Sequence, residues 1–354
     1  MALARHPCRA NCAVDDLRNA APAGRDVSLS TRTDPRRPVL VVLRALGLGD
    51  LLAAVPALVA LREAFPGHRR LLAAPAALAP VGAWSGAVHE VVDAAPLTPL
   101  DAALHGADVA VNLHGHGPQS TRTLLDARPR RLLAFVHPDV PEVDGPAWDD
   151  AEHERERWCR LLRAHDVPAD PARMAITVPD GPVPANPGGA VLIHPGAARA
   201  AVRWPAERFA AVAAALCDRG RRVLVTGGPG EVALAAAVAS AAGLPAAAVL
   251  AGRTDLDGLA RLVAGAAAVV SSDTGIAHLA FGLATPSVTI YGPVSPARWG
   301  PPPDRPRHRV LWAGHEGDPH APTPFSALAT ITPTAVLTEL AALAPCAWPR
   351  SPDT

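Results

Sequence analysis

Asp273, Thr274, Gly275 and His278 fall within one short stretch, and together they offer a carboxylate, a hydroxyl, a bare backbone and an imidazole. Groups of this kind gather where a helix begins, since its first N–H groups have no partner within the helix and draw anions. Other stretches are of the same kind. Gly47 and Gly49 precede Asp50; Gly196 and Ala197 follow a histidine and a proline; Gly227 and Gly228 precede Glu231; Thr254 follows Gly252-Arg253; His114 opens a His-Gly-His-Gly run. A glycine lets backbone approach a ligand closely. An aspartate beside it can act as a general base or merely cap a helix, and position alone leaves both readings of Asp50 open.

Each set follows an apolar run of the kind that forms a buried parallel strand. Val39 to Leu43 precedes the Asp50 turn, and Asp108 to Leu113 precedes His114. Ala190 to Ile193 precedes Gly196, Arg222 to Thr226 precedes Gly227, and Val269-Val270 precedes Asp273. Helical patterns alternate with these strands. Leu51 to Phe65 reads as a helix that Pro56 kinks or truly starts. Ile276, Leu279, Ala280 and Leu283 share one helical face, with His278 directed away from it. Charge and apolar residues segregate over Trp148 to His165, a further helix. Alternating strands and helices predict an α/β fold with parallel sheets, whose ligands bind at the carboxyl ends of the strands. The prolines at 168, 171, 179, 182, 184 and 187 mark a linker. The expected organisation is a disordered tail over 1–37, an N-terminal Rossmann-like domain over 38–185, a C-terminal one over 188–330, and a last helix over 333–345. Pro301 to Thr323 reads as a surface loop with Val310-Leu311-Trp312 embedded in it.

Composition narrows the chemistry. The 354 residues suffice for two domains, and a formal net charge of +0 gives no field favouring nucleic acid. Lysine is absent, so a Schiff-base lysine or a P-loop lysine is excluded and any cationic grip on phosphate must come from arginine. The five cysteines form no C-x-x-C pair, and His114 with His116 has no third ligand nearby, so no metal site is expected. No apolar run is long enough to span a membrane, and the first 37 residues lack a signal-peptide core. The strand before Asp50 carries no G-x-G-x-x-G, which argues against a dinucleotide-dependent dehydrogenase.

The motifs resemble glycosyltransferase family 9, the heptosyltransferase-like enzymes. Its marks here are LGLGD (46–50), PAL (56–58), HPGA (194–197), RWPAERF (203–209), the GG-P-GE turn (227–231), SDTGIAHLA (272–280) and the YGP at 291–293. The resemblance implies a GT-B architecture, two Rossmann-like doubly wound domains facing across a cleft. The N-terminal domain would take the acceptor and the C-terminal one the nucleotide-sugar donor, with the last helix packing back toward the N-terminal domain. It implies inverting, metal-independent transfer with no cofactor, the donor being an ADP-sugar and by family pattern ADP-heptose. Asp50 would be the base. Gly196, Ala197, Arg203, Gly227, Gly228, Glu231, Thr254, Asp273, Thr274, Gly275 and His278 would hold the donor, and Gly47, Gly49 and His114 would line the acceptor side. The expected partner is a glycan or lipid-linked acceptor of lipopolysaccharide core or other envelope polysaccharide assembly. The enzyme would be a cytoplasmic monomer, with peripheral contact at the inner face of the cytoplasmic membrane left open. The chain departs from the family at Val202, where many members carry a phosphate-gripping lysine, so that role passes to Arg203 or Arg199. A nucleotide-sugar-binding module with weak turnover and a sugar-nucleotide epimerase are the alternatives.

Overall fold

The computed structural model describes residues 37–183 and 185–343; the tail expected over 1–37 lies outside them but for Arg37, as does the end of the chain from 344. The first half runs β1 (Val39–Leu43), α1 (Leu48–Ala53), α2 (Val55–Ala64), β2 (Arg69–Ala74), α3 (Ala79–Ser85), β3 (Glu90–Asp93), β4 (Val109–Asn112), α4 (Gln119–Asp126), β5 (Arg131–Leu133) and α5 (Glu154–Ala164). The second runs β6 (Val191–His194), α6 (Ala206–Asp218), β7 (Val223–Val225), α7 (Val232–Ala241), α8 (Leu256–Gly265), β8 (Ala268–Ser272), α9 (Gly275–Gly282), β9 (Ser287–Tyr291), α10 (Pro296–Trp299), β10 (His308–Trp312) and α11 (Pro333–Ala342).

Two parallel sheets result, ordered β3-β2-β1-β4-β5 and β10-β9-β8-β6-β7. In both the order reverses beside the first strand of the domain, between β1 and β4 and between β6 and β8. Loops diverge at such a reversal and leave a crevice at the strands' carboxyl ends. The crevice lies after Leu43 and Asn112 in one domain and after His194 and Ser272 in the other. The strands there are buried along almost their whole length, as their largely apolar sequences require.

The long N-terminal helix is interrupted. Ala54 separates α1 from α2, and Pro56 lies in the first turn of α2, where its missing N–H costs nothing. Asp50 is not the N-cap of α1. That position belongs to Gly47, and Asp50 stands three residues into the helix with its Oδ2 accepting the Gly47 N–H at 3.2 Å. The charged helix expected from Trp148 starts only at Glu154, capped by the His153 ring, which accepts the Arg155 N–H at 3.1 Å. Val310-Leu311-Trp312 is no loop insertion but part of β10, the edge strand paired with β9.

The last helix also departs from expectation. It packs on α6, β9 and β10 of its own domain. Val336, Leu340 and Leu343 join Trp204, Phe209 and Ile331 in that domain's core, which is where the helix finds apolar surface to bury. Leu340→Ala should lower the unfolding free energy by about 2–5 kcal/mol. Amide exchange should rise in β9 and β10 and stay unchanged in β1–β5; a rise in β1–β5 instead would place this helix on the other domain.

Candidate active site in the interdomain seam

Helices α1 and α9 each begin where a central strand ends, and the two meet face to face. The contact depends on glycine. A Cβ on Gly49 would lie 3.0 Å from Cδ2 of His278, and one on Gly275 would lie 2.9 Å from Leu48. The seam buries α9 on all sides, including His278, which the sequence pattern directs away from the apolar face of that helix. That second face is covered by the N-terminal domain. Asp50 and the Asp273–His278 group are therefore brought to one place by different halves of the chain.

Around α9, the Thr274 backbone is extended (φ −148°, ψ 174°) at the N-cap, and its hydroxyl makes no cap hydrogen bond. His278 Nε2 lies 3.5 Å from Oδ1 of Asp273, and its ring meets Phe281 and Trp299 edge-on at 5.5 and 5.8 Å. Tyr291, wholly buried, donates its hydroxyl to the Trp299 carbonyl at 3.3 Å; burial and the Asp273 carboxylate push its pKa up, so it stays a donor.

The loop after β6 supplies the neighbouring wall. A Cβ on Gly196 would fall 2.0 Å from Oε1 of Glu231, so only glycine leaves room for that carboxylate. Glu231 Oε2 accepts the Gly228 N–H at 2.8 Å and lies 3.7 Å from His194 Nε2. Gly227 is tight as well, its absent Cβ 3.1 Å from the Cβ atoms of Ala251 and Glu231. His194 is held below its ordinary pKa by burial, against the pull of Glu231, and its Nδ1 pairs with Thr226 Oγ1 at 3.0 Å. Arg203 donates Nε to the Ala197 carbonyl at 2.8 Å, which fixes its guanidinium beside the HPGA loop. Trp204 N–H donates to Ser272 Oγ at 3.3 Å and ties that loop to the end of β8. Arg199, the other arginine considered for this role, pairs with His320 on the exposed surface. Thr254 is half-buried beside Asp255, which caps α8 by accepting the Gly258 N–H at 2.7 Å.

On the other wall His114 follows β4. Its Nδ1 accepts the Ala45 N–H at 3.2 Å, which leaves the proton of the neutral ring on Nε2. Burial first and Arg44 second lower its pKa, with Asp50 opposing. Sequence reasoning assigned no role to Arg44 or Glu154. Arg44 is 1% exposed, and it donates to the Asp50 carbonyl at 3.1 Å, to the Leu113 carbonyl, and to Glu154 Oε1 at 2.9 Å. Its Nη2 lies 3.5 Å from Asp50 Oδ1, and its guanidinium lies 4.8 Å from the centre of the Trp158 ring. A charge directly after a buried central strand is the one signal that could have drawn attention to Arg44, since such a charge is buried only when paired. Glu154, in a run of alternating acids and bases, carries no such mark. Among the described residues no three His, Cys, Asp or Glu side chains cluster as metal ligands.

Two parallel α/β domains with their strand ends facing each other across a polar seam define the GT-B class. Residues 157–323 match the family described as glycosyltransferase family 9 (heptosyltransferase). Lipopolysaccharide heptosyltransferase 1 of Salmonella typhimurium is 26% identical over 294 residues, covering 74% of this chain and 90% of that protein. Its namesake in Pseudomonas aeruginosa is 38% identical over 118 residues, covering 33% of this chain and 32% of that protein, so the match spans about a third of that relative's length. The structure of E. coli ADP-heptose lps heptosyltransferase II superposes with a TM-score of 0.70 at 23% identity, covering 86% of this chain and 98% of that one, a likeness of fold. Over residues 157–323 the chain is similar to glycosyltransferase family 9, and its curated relatives and fold neighbours are heptosyltransferases.

Two buried histidines give the fold an acid limit. His153 Nε2 donates to the Gly300 carbonyl at 3.1 Å and His308 Nδ1 pairs with Ser287 Oγ at 2.9 Å; burial lowers both pKa values to about 4. The unfolded chain protonates such rings near pH ~6.5. Between that pH and about 4 the unfolded state binds more protons, so stability falls as pH drops and this contribution levels off below 4. The melting temperature of His153→Gln/His308→Gln should therefore fall less steeply than wild type over that window; identical slopes would contradict the assignment.

Proposed function

We propose that the protein is an inverting glycosyltransferase that moves a sugar, heptose by the pattern of its family, from an ADP-sugar to a lipopolysaccharide-type or lipid-linked acceptor. The observation that carries this reading is the abutment of the two helix starts, with Gly49 against His278, which sets Asp50 opposite the Asp273–His278 group. Nucleophile activation and leaving-group stabilisation need two such sets of groups, one on each side of the sugar.

The chemistry follows from the residues. Asp50 takes the proton of the acceptor hydroxyl as its oxygen attacks the anomeric carbon. The bond to the diphosphate breaks on the opposite face, which inverts the configuration. Negative charge grows on the departing nucleoside diphosphate. The start of α9 at Thr274 and Gly275 meets that charge with backbone N–H groups and the positive end of the helix dipole. Arg203 adds a fixed cation where Val202 stands in place of the family lysine, so transfer proceeds without a metal. Glu231, with Gly196, Gly227 and Gly228 beneath it, accepts the ribose hydroxyls, and Thr254 lies at the rim of the nucleotide. His114, neutral with its proton on Nε2, donates to the acceptor. No helix among the described residues is long and apolar enough to cross a membrane. We propose a cytoplasmic monomer that meets its acceptor at the membrane's inner face; sedimentation as a stable oligomer, or absence from the cytosolic fraction, would rule this out.

Calorimetry with ADP-heptose and with GDP-, UDP- and TDP-sugars, with and without Mg²⁺, tests the donor. ADP-heptose should bind in the absence of metal and lose its affinity with Asp273→Ala. Binding that requires Mg²⁺, or preference for another base, would overturn that part. Asp50→Asn retains an oxygen for the Gly47 N–H, so the helix start and donor binding should survive while kcat falls roughly 10²–10⁴-fold. Undiminished turnover in that variant would remove Asp50 as the base.

A further inference from the structure

We infer that Arg44, held by Glu154, is the positioning residue of the base, aiming the Asp50 carboxylate from behind; the inference rests on the role proposed for Asp50. The first turn of α1 is short and half-exposed, and the Gly47 N–H alone would leave the Asp50 carboxylate free to turn. Arg44 constrains it twice. Nε holds the Asp50 carbonyl at 3.1 Å and Nη2 lies 3.5 Å from Oδ1. Nη1 holds the Leu113 carbonyl, immediately before His114, so one planar group ties the loops after β1 and β4 together at the sheet's reversal point.

A guanidinium buried to 1% exposure needs a counter-charge, and Glu154 provides it at 2.9 Å while 4% exposed itself. Glu154 is fixed in turn by Arg157 and by the Trp158 indole N–H at 3.0 Å. Its neighbours His153 and Arg155 both donate to the Gly300 carbonyl of the donor domain at 3.1 Å, next to Trp299, which packs edge-on against His278. The first turn of α5 thus grips the donor half with two residues and the base's holder with the residue between them.

Lysine could keep the charge but reach only part of this set, because a point ammonium cannot span acceptors that lie in the plane of a guanidinium. Arg44→Lys, measured by ADP release from ADP-heptose with heptose-free lipopolysaccharide as acceptor, should lower kcat about 10–100-fold, the scale of a misaimed group. KM for ADP-heptose should stay within about twofold, since the donor groups lie on the other domain. In the Asp50→Asn background the same substitution should slow the residual rate by less than about twofold, for there is no longer a carboxylate to aim. Glu154→Gln, which keeps the hydrogen-bonding shape and removes the counter-charge, should show the same pattern if Arg44→Lys fails to fold. A wild-type kcat in both single variants would overturn this inference alone, as would a full multiplicative loss in the Asp50→Asn background. Turnover kept by Asp50→Asn itself would overturn the base assignment and the inference together.

Discussion

The packing of α1 against α9, one helix from each half of the chain, is the constraint on which the site depends. Helix starts carry partial positive charge and unpaired N–H groups, so two of them meet only if nothing bulky stands between and a negative group can sit there. Gly49 and Gly275 remove the bulk, and Asp50 and Asp273 supply the negative charge. A Cβ at either glycine would press on His278 or Leu48 and force that side chain to shift. His278 is buried there against Phe281 and Trp299.

Around this contact charged groups gather in two sets. Arg44, Glu154 and Arg157 form one set, with Trp158 and Trp148 under the guanidinium groups. Glu231, His194 and the Gly228 N–H form a second, in which the bare backbone of Gly196 leaves space for the carboxylate. Both lie at strand ends where the sheet order reverses, so the same topology that opens a crevice also leaves buried backbone carbonyls for an arginine to hold. Loss of Glu154 would leave the Arg44 and Arg157 guanidinium groups without their carboxylate away from water, at a cost of several kcal/mol.

The lysine-free composition has a local consequence. At Val202 a lysine would act as a mobile point charge on a flexible stem. Arg203 instead donates Nε to the Ala197 carbonyl, so its orientation is set before a ligand arrives. Arg199, next to the same loop and identical in type, turns outward to His320. Sequence reasoning kept both candidates, because they differ only in a hydrogen bond that the folded loop makes.

Most of the strands were legible because a parallel strand buried on both faces must be apolar throughout, and Val39–Leu43 or Val269-Val270 read as little else. The glycine-bearing turns were legible because they interrupt those runs at one side of each sheet. By contrast β10 begins in Arg- and His-rich sequence and pairs on one side only, so its edge position hid it. The full burial of His278 and the docking of α11 on its own domain arise from surfaces that another part of the chain supplies. The same holds for Arg44 and Glu154, which stand far apart in sequence and meet in the core. What the sequence determined by itself is therefore the parallel α/β plan, the turns that bear chemistry, and the absence of any lysine to do that chemistry, since those follow from period and residue type. Which helix starts would touch, which arginine would stand behind Asp50, and which face of α9 would be covered were decided only in the tertiary structure, because each requires groups from distant segments to share one small, water-poor space.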